Sequence, residues 1–272
     1  MRQETRLRYG DVPGSICGVP VGTDQQRITN QEYLLRDQRF AIHYRRGEGI
    51  TAQLSVPEAQ NELDLYLAGS TRAAIACING LYPLHASGVI AGDRVYAFTG
   101  PSGAGKSTLA AGLGPRGFAL MCDDTLVLDM GMNPPRALPG HKRLKLWPDA
   151  VELSGVEPME LVSEAYPKYF AHASGSDISD MRPLAAIIAL AVGDELRFER
   201  LQGSACFTAL DAAHYTAQLY SDARGEGEAG LFAWRAALAR SVPFYRFTRP
   251  LERETFASML DFIAEKLDML SA

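Results

Sequence analysis

Residues 100–108 constrain the chain more than any other stretch. In order they are Gly100, Pro101, Ser102, Gly103, Ala104, Gly105, Lys106, Ser107 and Thr108. They match the P-loop pattern G-x-x-x-x-G-K-[ST] at every fixed position, after an apolar strand and before a predicted helix. Glycines let backbone N–H groups curl around phosphate oxygens, and a helix start adds partial positive charge. The nine residues therefore predict nucleotide binding, with the lysine on the β- and γ-phosphates and Ser107 on Mg²⁺.

A pair of carboxylates follows the next predicted strand, at residues 118–122. Asp123 lies seventeen positions beyond Lys106 and is followed directly by Asp124. Near a magnesium-bound triphosphate, one carboxylate can hold the metal while the other accepts a proton from an attacking hydroxyl. We expect Ser107 and Asp124 to be the metal ligands. Which aspartate serves as the base stays open.

Composition narrows the classes of partner. The 272 residues carry a net charge of −5, whereas proteins that bind nucleic acid or anionic membranes usually have a basic bias. The four cysteines form no Cys-x-x-Cys pair and are too sparse for a disulfide framework. The N-terminus does not read as a signal peptide, and the longest apolar run is too short to span a bilayer. We therefore expect a cytoplasmic protein with no nucleic-acid or membrane partner.

The first 80 residues are predicted to form a β-rich accessory region. Two alternating runs, 40–44 and 50–56, flank a glycine-containing turn and predict a hairpin. A helix is expected over 70–79, with Gly80 as its stop signal.

Residues 81–272 are predicted to form an α/β domain around the P-loop. The stretch 130–140, with its prolines and glycines, is expected to be a loop, and the apolar run 182–192 a buried strand. The chain ends in an expected amphipathic helix. Its apolar stripe consists of Phe256, Met259, Leu260, Ile263 and Leu267.

Several motifs together resemble one family. They are the strand Leu84-His85-Ala86-Ser87-Gly88-Val89, the P-loop, Arg116-Gly117-Phe118, the acid pair, and the apolar stretch 181–188. In this order and spacing they resemble the catalytic domain of HPr kinase/phosphorylase. The resemblance implies an α/β fold with an HPr-kinase-like (PEP-carboxykinase-like) P-loop core, and ATP and Mg²⁺ as cofactors.

The resemblance also implies roles for individual residues. His85 would lie beside the acid pair and help to set its protonation. Asp123 and Asp124 would be the catalytic carboxylates, Lys106 would bind the phosphates, and Arg182 would be a phosphate-facing cation.

One departure from the family changes the expected substrate. The signature Glu-Ile-Arg-Gly-Leu-Gly has no counterpart after the acid pair, where residues 141–149 instead begin His-Lys-Arg-Leu-Lys. Whether the dephosphorylation activity and the recognition of HPr carry over to this chain therefore stays open. The chain is more similar to smaller, diverged relatives, including lasso-peptide precursor kinases that phosphorylate a C-terminal serine.

The expected function is transfer of the γ-phosphoryl group of ATP to a serine of a peptide or small protein. Two alternatives stay open, a non-catalytic ATP-binding regulatory module and a kinase for a small-molecule hydroxyl. The sequence also leaves a homo-oligomer open.

Overall fold

The computed structural model of the chain describes residues 4–162, 167–173, 178–213 and 217–272. These residues form a mixed α/β protein with several sheets, which confirms the predicted class at that level.

Strands and helices alternate irregularly along the chain. The strands are β1 (Leu7–Tyr9), β2 (Ser15–Ile16), β3 (Val19–Pro20), β4 (Gln25–Ile28), β5 (Glu32–Arg36), β6 (Phe40–Arg45), β7 (Gly49–Leu54), β8 (Tyr82–Ala91), β9 (Arg94–Thr99), β10 (Ala119–Cys122), β11 (Thr125–Asp129), β12 (Arg136–Leu138), β13 (Arg143–Leu146), β14 (Pro158–Leu161), β15 (Tyr169–His172), β16 (Arg182–Val192), β17 (Arg197–Leu201) and β18 (Phe244–Arg249). The α-helices are α1 (Gln60–Tyr66), α2 (Arg72–Ile78), α3 (Lys106–Leu113), α4 (Pro148–Ser154), α5 (Ser204–Ala212), α6 (Ala217–Arg224), α7 (Gly227–Ser241) and α8 (Phe256–Ser271). A π-helical turn (Leu67–Thr71) joins α1 to α2, and short 3₁₀ turns cover Pro57–Ala59, Gly114–Arg116 and Arg253–Thr255.

Contacts divide the chain into two compact units. One comprises Met1–Pro83 with Tyr215–Ala233, and the other comprises Leu84–His214 with Trp234–Ala272. A segment from the C-terminal half thus belongs with the N-terminal unit, an arrangement that no local sequence signal predicts.

The N-terminal unit is built on a five-stranded sheet in the order β1-β7-β6-β5-β4. The predicted hairpin is confirmed, because β6 and β7 pair antiparallel with Tyr44 opposite Ile50. The predicted helix is also confirmed as α2, and Gly80 follows it with a φ of 75°. Helix α2 packs against α6 within this unit.

The second unit contains an eight-stranded sheet. Its order is β10-β8-β11-β12-β16-β18-β17, and β9 pairs with both β8 and β16. The apolar strand β16 runs parallel to β9 and to β18, as expected for a strand buried on both faces. Ala189 of β16 lies opposite both Thr99 and Arg246, so the carboxyl ends of these three strands meet at one edge. In sheets of this type, ligands bind at that edge.

Helices α3 and α8 cover this sheet. Helix α3 packs against α4, α8 and β13. The predicted C-terminal helix is confirmed as α8, and four members of its predicted stripe are buried. They are Met259, Leu260, Ile263 and Leu267.

The stretch 130–140 is not a loop throughout, because it contains β12. This three-residue strand pairs with β11 on one side and β16 on the other. A segment so short carries no periodicity, and tertiary pairing supplies its strand conformation. Across the described residues, no helix is both long and apolar enough to cross a membrane.

Candidate functional site

The P-loop connects β9 to α3 at the carboxyl edge of the large sheet. Gly103 and Gly105 have φ angles of 82° and 78°, in the left-handed region that side chains other than glycine rarely adopt. Gly105 is also the N-cap of α3, so the helix begins at Lys106. The two glycines therefore allow the loop to turn sharply into the helix, and its free N–H groups lie at the helix start.

Lys106 lies beneath this loop. The residue is 6% exposed, and its Nζ donates hydrogen bonds to the carbonyl oxygens of Gly100 (2.8 Å) and Pro101 (3.1 Å). Burial lowers the pKa of Lys106, although the nearby aspartates raise it. The lysine charge is thus held against the loop by two neutral acceptors.

Asp123 is the buried acceptor of the site, at 2% exposure. Its Oδ1 accepts hydrogen bonds from the hydroxyls of Ser107 (2.8 Å) and Ser87 (2.6 Å). Its Oδ2 accepts a longer one, 3.3 Å, from the backbone N–H of Lys145. These donors fix the carboxylate against the first turn of α3.

Asp124 occupies an unusual backbone conformation. Its φ is 69°, and the N–H of Thr125 donates to the carbonyl oxygen of Asp123 across a distance of 2.8 Å. A hydrogen bond spanning one residue of positive φ is the geometry of a γ-turn, a rare and strained turn. Because of this turn, successive aspartates present their carboxylates to different partners.

The Asp124 carboxylate faces two basic side chains. Lys145 Nζ lies 3.2 Å from one carboxylate oxygen, and His85 Nδ1 lies 3.5 Å from the other. Burial by itself raises the pKa of Asp124, but Lys145 and then His85 lower it, and the pKa ends below its ordinary value. Asp124 is therefore ionised at neutral pH.

His85 is positioned by β8. Because side chains alternate along a strand, His85 and Ser87 lie on the same face, and each reaches one of the two aspartates. His85 Nδ1 also lies 3.1 Å from the backbone carbonyl of Asp124, a contact that requires the proton on Nδ1. Burial, followed by the charge of Lys106, lowers the pKa of His85, so the ring is neutral at neutral pH.

A small three-stranded sheet, β13-β15-β14, brings further lysines to the acid pair. Lys145 of β13 touches both aspartates, one through its backbone and one through its side chain. Lys168 precedes β15, and its Nζ lies 5.1 Å from the centre of the Trp147 ring. Burial, followed by repulsion from Lys145, lowers the pKa of Lys168, and both aspartates oppose that shift. The acid pair thus lies among three lysines when Lys106 is included.

A close backbone approach holds the chain after β12 against β10. The N–H of Gly140 donates to the carbonyl of Met121 (3.0 Å), and a Cβ at Gly140 would lie 2.2 Å from that of Cys122. Only glycine fits there. The backbone N–H of Asp123 donates to the carbonyl of His141 (3.3 Å), which brings the following strand, with Lys145, to the acid pair.

Comparison with known proteins finds similarity to solved structures but not to sequences. No family model matches the chain, and no curated protein matches it. Among solved structures, the chain is similar to the Hpr(Ser) kinase/phosphatase from Coxiella burnetii. The identity is 13% and the TM-score 0.34, over 69% of this chain and 97% of that one.

The structure brings most of the predicted site residues together, with two differences. Ser107 contacts Asp123 rather than Asp124, the aspartate expected to share the metal with it. Arg182 lies at the amino end of β16, paired with Ala137. Arg182 precedes Ala189, which lies level with the end of β9 before the P-loop, by seven residues, or about 23 Å at roughly 3.3 Å per residue. The expected role of Arg182 as a phosphate-facing cation is therefore corrected, because strand register places it at the opposite edge.

Four residues at the site were not among the predicted site residues. Ser87 could have been found, since alternation along β8 places it on the face of His85. Lys145 lies in the basic stretch 141–145, whose alternating pattern is also typical of an exposed strand edge. In the structure most of the Lys145 side chain is buried. Lys168 and Arg249 reach the site through long-range pairing of β15 and β18, for which the local sequence carries no signal.

We expect Asp124 to make stability depend on pH. Its pKa is lower in the folded chain than the ordinary value of 3.8, so its stabilising contribution is present above that value. The contribution is lost as pH falls through the lower, folded pKa. Between pH 6 and pH 3, the wild type should therefore lose more stability than Asp124→Asn, which melting temperatures measured across that range will show. The exposed Asp93→Asn is the control, and parallel curves for wild type and Asp124→Asn would contradict the prediction.

Proposed function

We propose that the protein is an ATP- and Mg²⁺-dependent kinase that phosphorylates a serine hydroxyl of a peptide or small protein. The carrying observation is the 2.8 Å hydrogen bond between Ser107 and Asp123, placed where a glycine loop enters a helix. The Ser107 hydroxyl comes from the first turn of α3, and the Asp123 carboxylate comes from the residue after β10. The two groups meet beside the P-loop. The proposal includes the HPr-kinase-like core that the sequence motifs imply.

The residues present fit a magnesium ion. Mg²⁺ prefers oxygen ligands and is usually held by one or two protein groups together with substrate phosphates. Ser107 donates its proton to Asp123, so its oxygen lone pairs remain available to a cation. Within the described ranges, no group of three or more His, Cys, Asp or Glu side chains could hold a metal ion. When bound, Mg²⁺ would neutralise charge on the β- and γ-phosphates.

The P-loop would hold the triphosphate. The N–H groups at the start of α3 would donate to phosphate oxygens, as helix starts do for anions. Lys106 already lies at the loop, and the phosphates would replace the carbonyls of Gly100 and Pro101 as acceptors for its ammonium. Its charge would then stabilise the negative charge that spreads in the transition state, the largest contribution in this chemistry.

Asp124 and His85 would serve the acceptor. The serine Oγ forms a bond to the γ-phosphorus, the bond from that phosphorus to the β,γ-bridging oxygen breaks, ADP leaves, and the serine proton must be accepted. Asp124, ionised and paired with Lys145, is the group we propose to orient the hydroxyl and take that proton. A weakly basic carboxylate suffices for a loose transition state, because the nucleophile has little bonding to phosphorus and loses its proton late. His85 would hold Asp124 in place.

The acceptor class follows from the sequence resemblance to kinases of serine in peptides and small proteins. Within that class we propose a peptide whose serine is at or near its C-terminus, as in lasso-peptide precursors. Lys168, which has no carboxylate within ion-pairing distance in the described part of the chain, is available to an anionic acceptor group.

The test offers labelled ATP and Mg²⁺ together with a panel of acceptors. The panel consists of peptides ending in serine, peptides with internal serine, the same peptides with serine replaced by alanine, and small hydroxy acids. We expect phosphate on the serine peptides alone, located by mass spectrometry. ATP binding with no phosphorylated product would favour a regulatory module, and product on the small molecules alone would favour a small-molecule kinase.

A further inference from the structure

Arg249 is a buried cation next to the phosphate loop. It is the last residue of β18 and is 3% exposed. Its Nη2 donates to the carbonyl oxygen of Ala104, and a Cβ placed on Gly105 would lie only 2.8 Å from that nitrogen. The guanidinium therefore packs directly on the backbone of the loop, and glycine at position 105 is what permits this approach.

No acidic group compensates this charge in the described part of the chain. Arg249 makes no ion pair there, and its Nε is buried without a hydrogen-bond partner. Burial is the cause that lowers the pKa of Arg249, with no carboxylate opposing it. Two other arginines of the same unit do have carboxylate partners, since Arg116 pairs with Asp261 at 2.6 Å and Arg235 with Asp211 at 2.5 Å.

A buried charge without a partner destabilises the folded chain. Arg249 carries such a charge next to the P-loop, the segment predicted to bind the phosphates. Breaking or omitting the partner of a buried ion is strongly unfavourable, whereas an apolar replacement of similar size is often neutral or stabilising. Anions that enter the loop would provide the missing opposite charge. Through its bond to Ala104, the guanidinium also fixes one peptide of the loop.

We infer that Arg249 is a positioning residue that braces the phosphate loop from behind and whose charge is compensated only when a polyphosphate fills it. The inference rests on the proposed nucleotide-binding function. The inference also predicts which ligands bind most tightly. The affinity for a nucleotide should rise with its number of phosphates, and Arg249 should supply much of that rise. Its contribution should be absent for a nucleoside without phosphate.

The experiment compares Arg249→Met with Arg249→Lys. We expect the melting temperature of ligand-free Arg249→Met to equal or exceed that of the wild type, because an uncompensated charge is removed. Its affinity for ATP with Mg²⁺ should fall about tenfold, its affinity for ADP less, and its affinity for adenosine not at all, as measured by calorimetry. Arg249→Lys keeps the charge and should recover most of the ATP affinity.

The control is Arg246→Met, an exposed arginine on the same strand, which should change neither quantity. A lower melting temperature for ligand-free Arg249→Met, an equal loss for adenosine and ATP, or no loss for ATP would each overturn the inference. If the wild type itself bound no ATP, the proposed function would fail instead, so the two failures are distinguishable.

Discussion

Replacing Lys106 with alanine should lower phosphoryl transfer by at least about 10³-fold while the protein stays folded. The ammonium is held at the P-loop by the carbonyls of Gly100 and Pro101, where it would meet the phosphates. Lys145 does not replace it there, because its own ammonium is paired with Asp124. Turnover and ATP affinity, measured with the serine peptide that the wild type accepts, will give the result.

Lys142→Ala is the matched control for Lys106. Lys142 also donates its Nζ to two backbone carbonyls, those of Leu120 (2.7 Å) and Met121 (2.9 Å), but these belong to β10 and not to the loop. A comparable change in melting temperature with little change in transfer is expected for this variant. If Lys106→Ala transferred phosphate at the wild-type rate, the assignment of the loop would be wrong.

Replacing Asp123 with asparagine should lower turnover by about 10²-fold or more and raise the Mg²⁺ concentration needed for half-maximal activity. The Asp123 carboxylate accepts hydrogen bonds from two hydroxyls and one N–H. In asparagine an NH₂ group, which can only donate, replaces one of the two accepting oxygens. Ser107 would then lose the partner that orients its oxygen. A titration of activity with Mg²⁺ at saturating ATP measures both effects.

The pair Ser107→Ala and Asp123→Asn supplies a further check. Because the two groups act through one hydrogen bond, the double variant should lose little more activity than Asp123→Asn alone. Asp129→Asn is the control, since Asp129 accepts a hydrogen bond from the N–H of Gly131 at the far end of β11. Fully additive losses, or a normal Mg²⁺ requirement in Asp123→Asn, would contradict the shared metal role of these residues.

Local patterns predicted the features that depend on near neighbours in the chain. The glycine loop and helix α3 are encoded within about fourteen consecutive residues, since positive φ at Gly103 and Gly105 and a helix start need no distant contact. The hairpin of β6 and β7 and the stripe of α8 are local in the same way, with periods of two and 3.6 residues.

Features that depend on register between distant strands were not predictable. Arg182 is the first residue of β16, whose opposite end is level with the P-loop. Arg249 is the last residue of β18, which runs parallel to β16. Both are arginines at strand ends in the sequence, and nothing local tells which edge each one reaches. The short strand β12 is a similar case, because pairing on both sides makes it a strand.

The phosphate loop and the pair of acids were thus determined by the sequence alone, because each consists of residues adjacent in the chain. The tertiary structure determines which partners each of the two aspartates contacts. The γ-turn at Asp124 directs one carboxylate toward Ser107 and the other toward His85 and Lys145. The physical reason is that charge and hydrogen bonding act over a few ångströms in space. The partners Ser87, Lys145 and Arg249 reach those distances only when the sheets have formed.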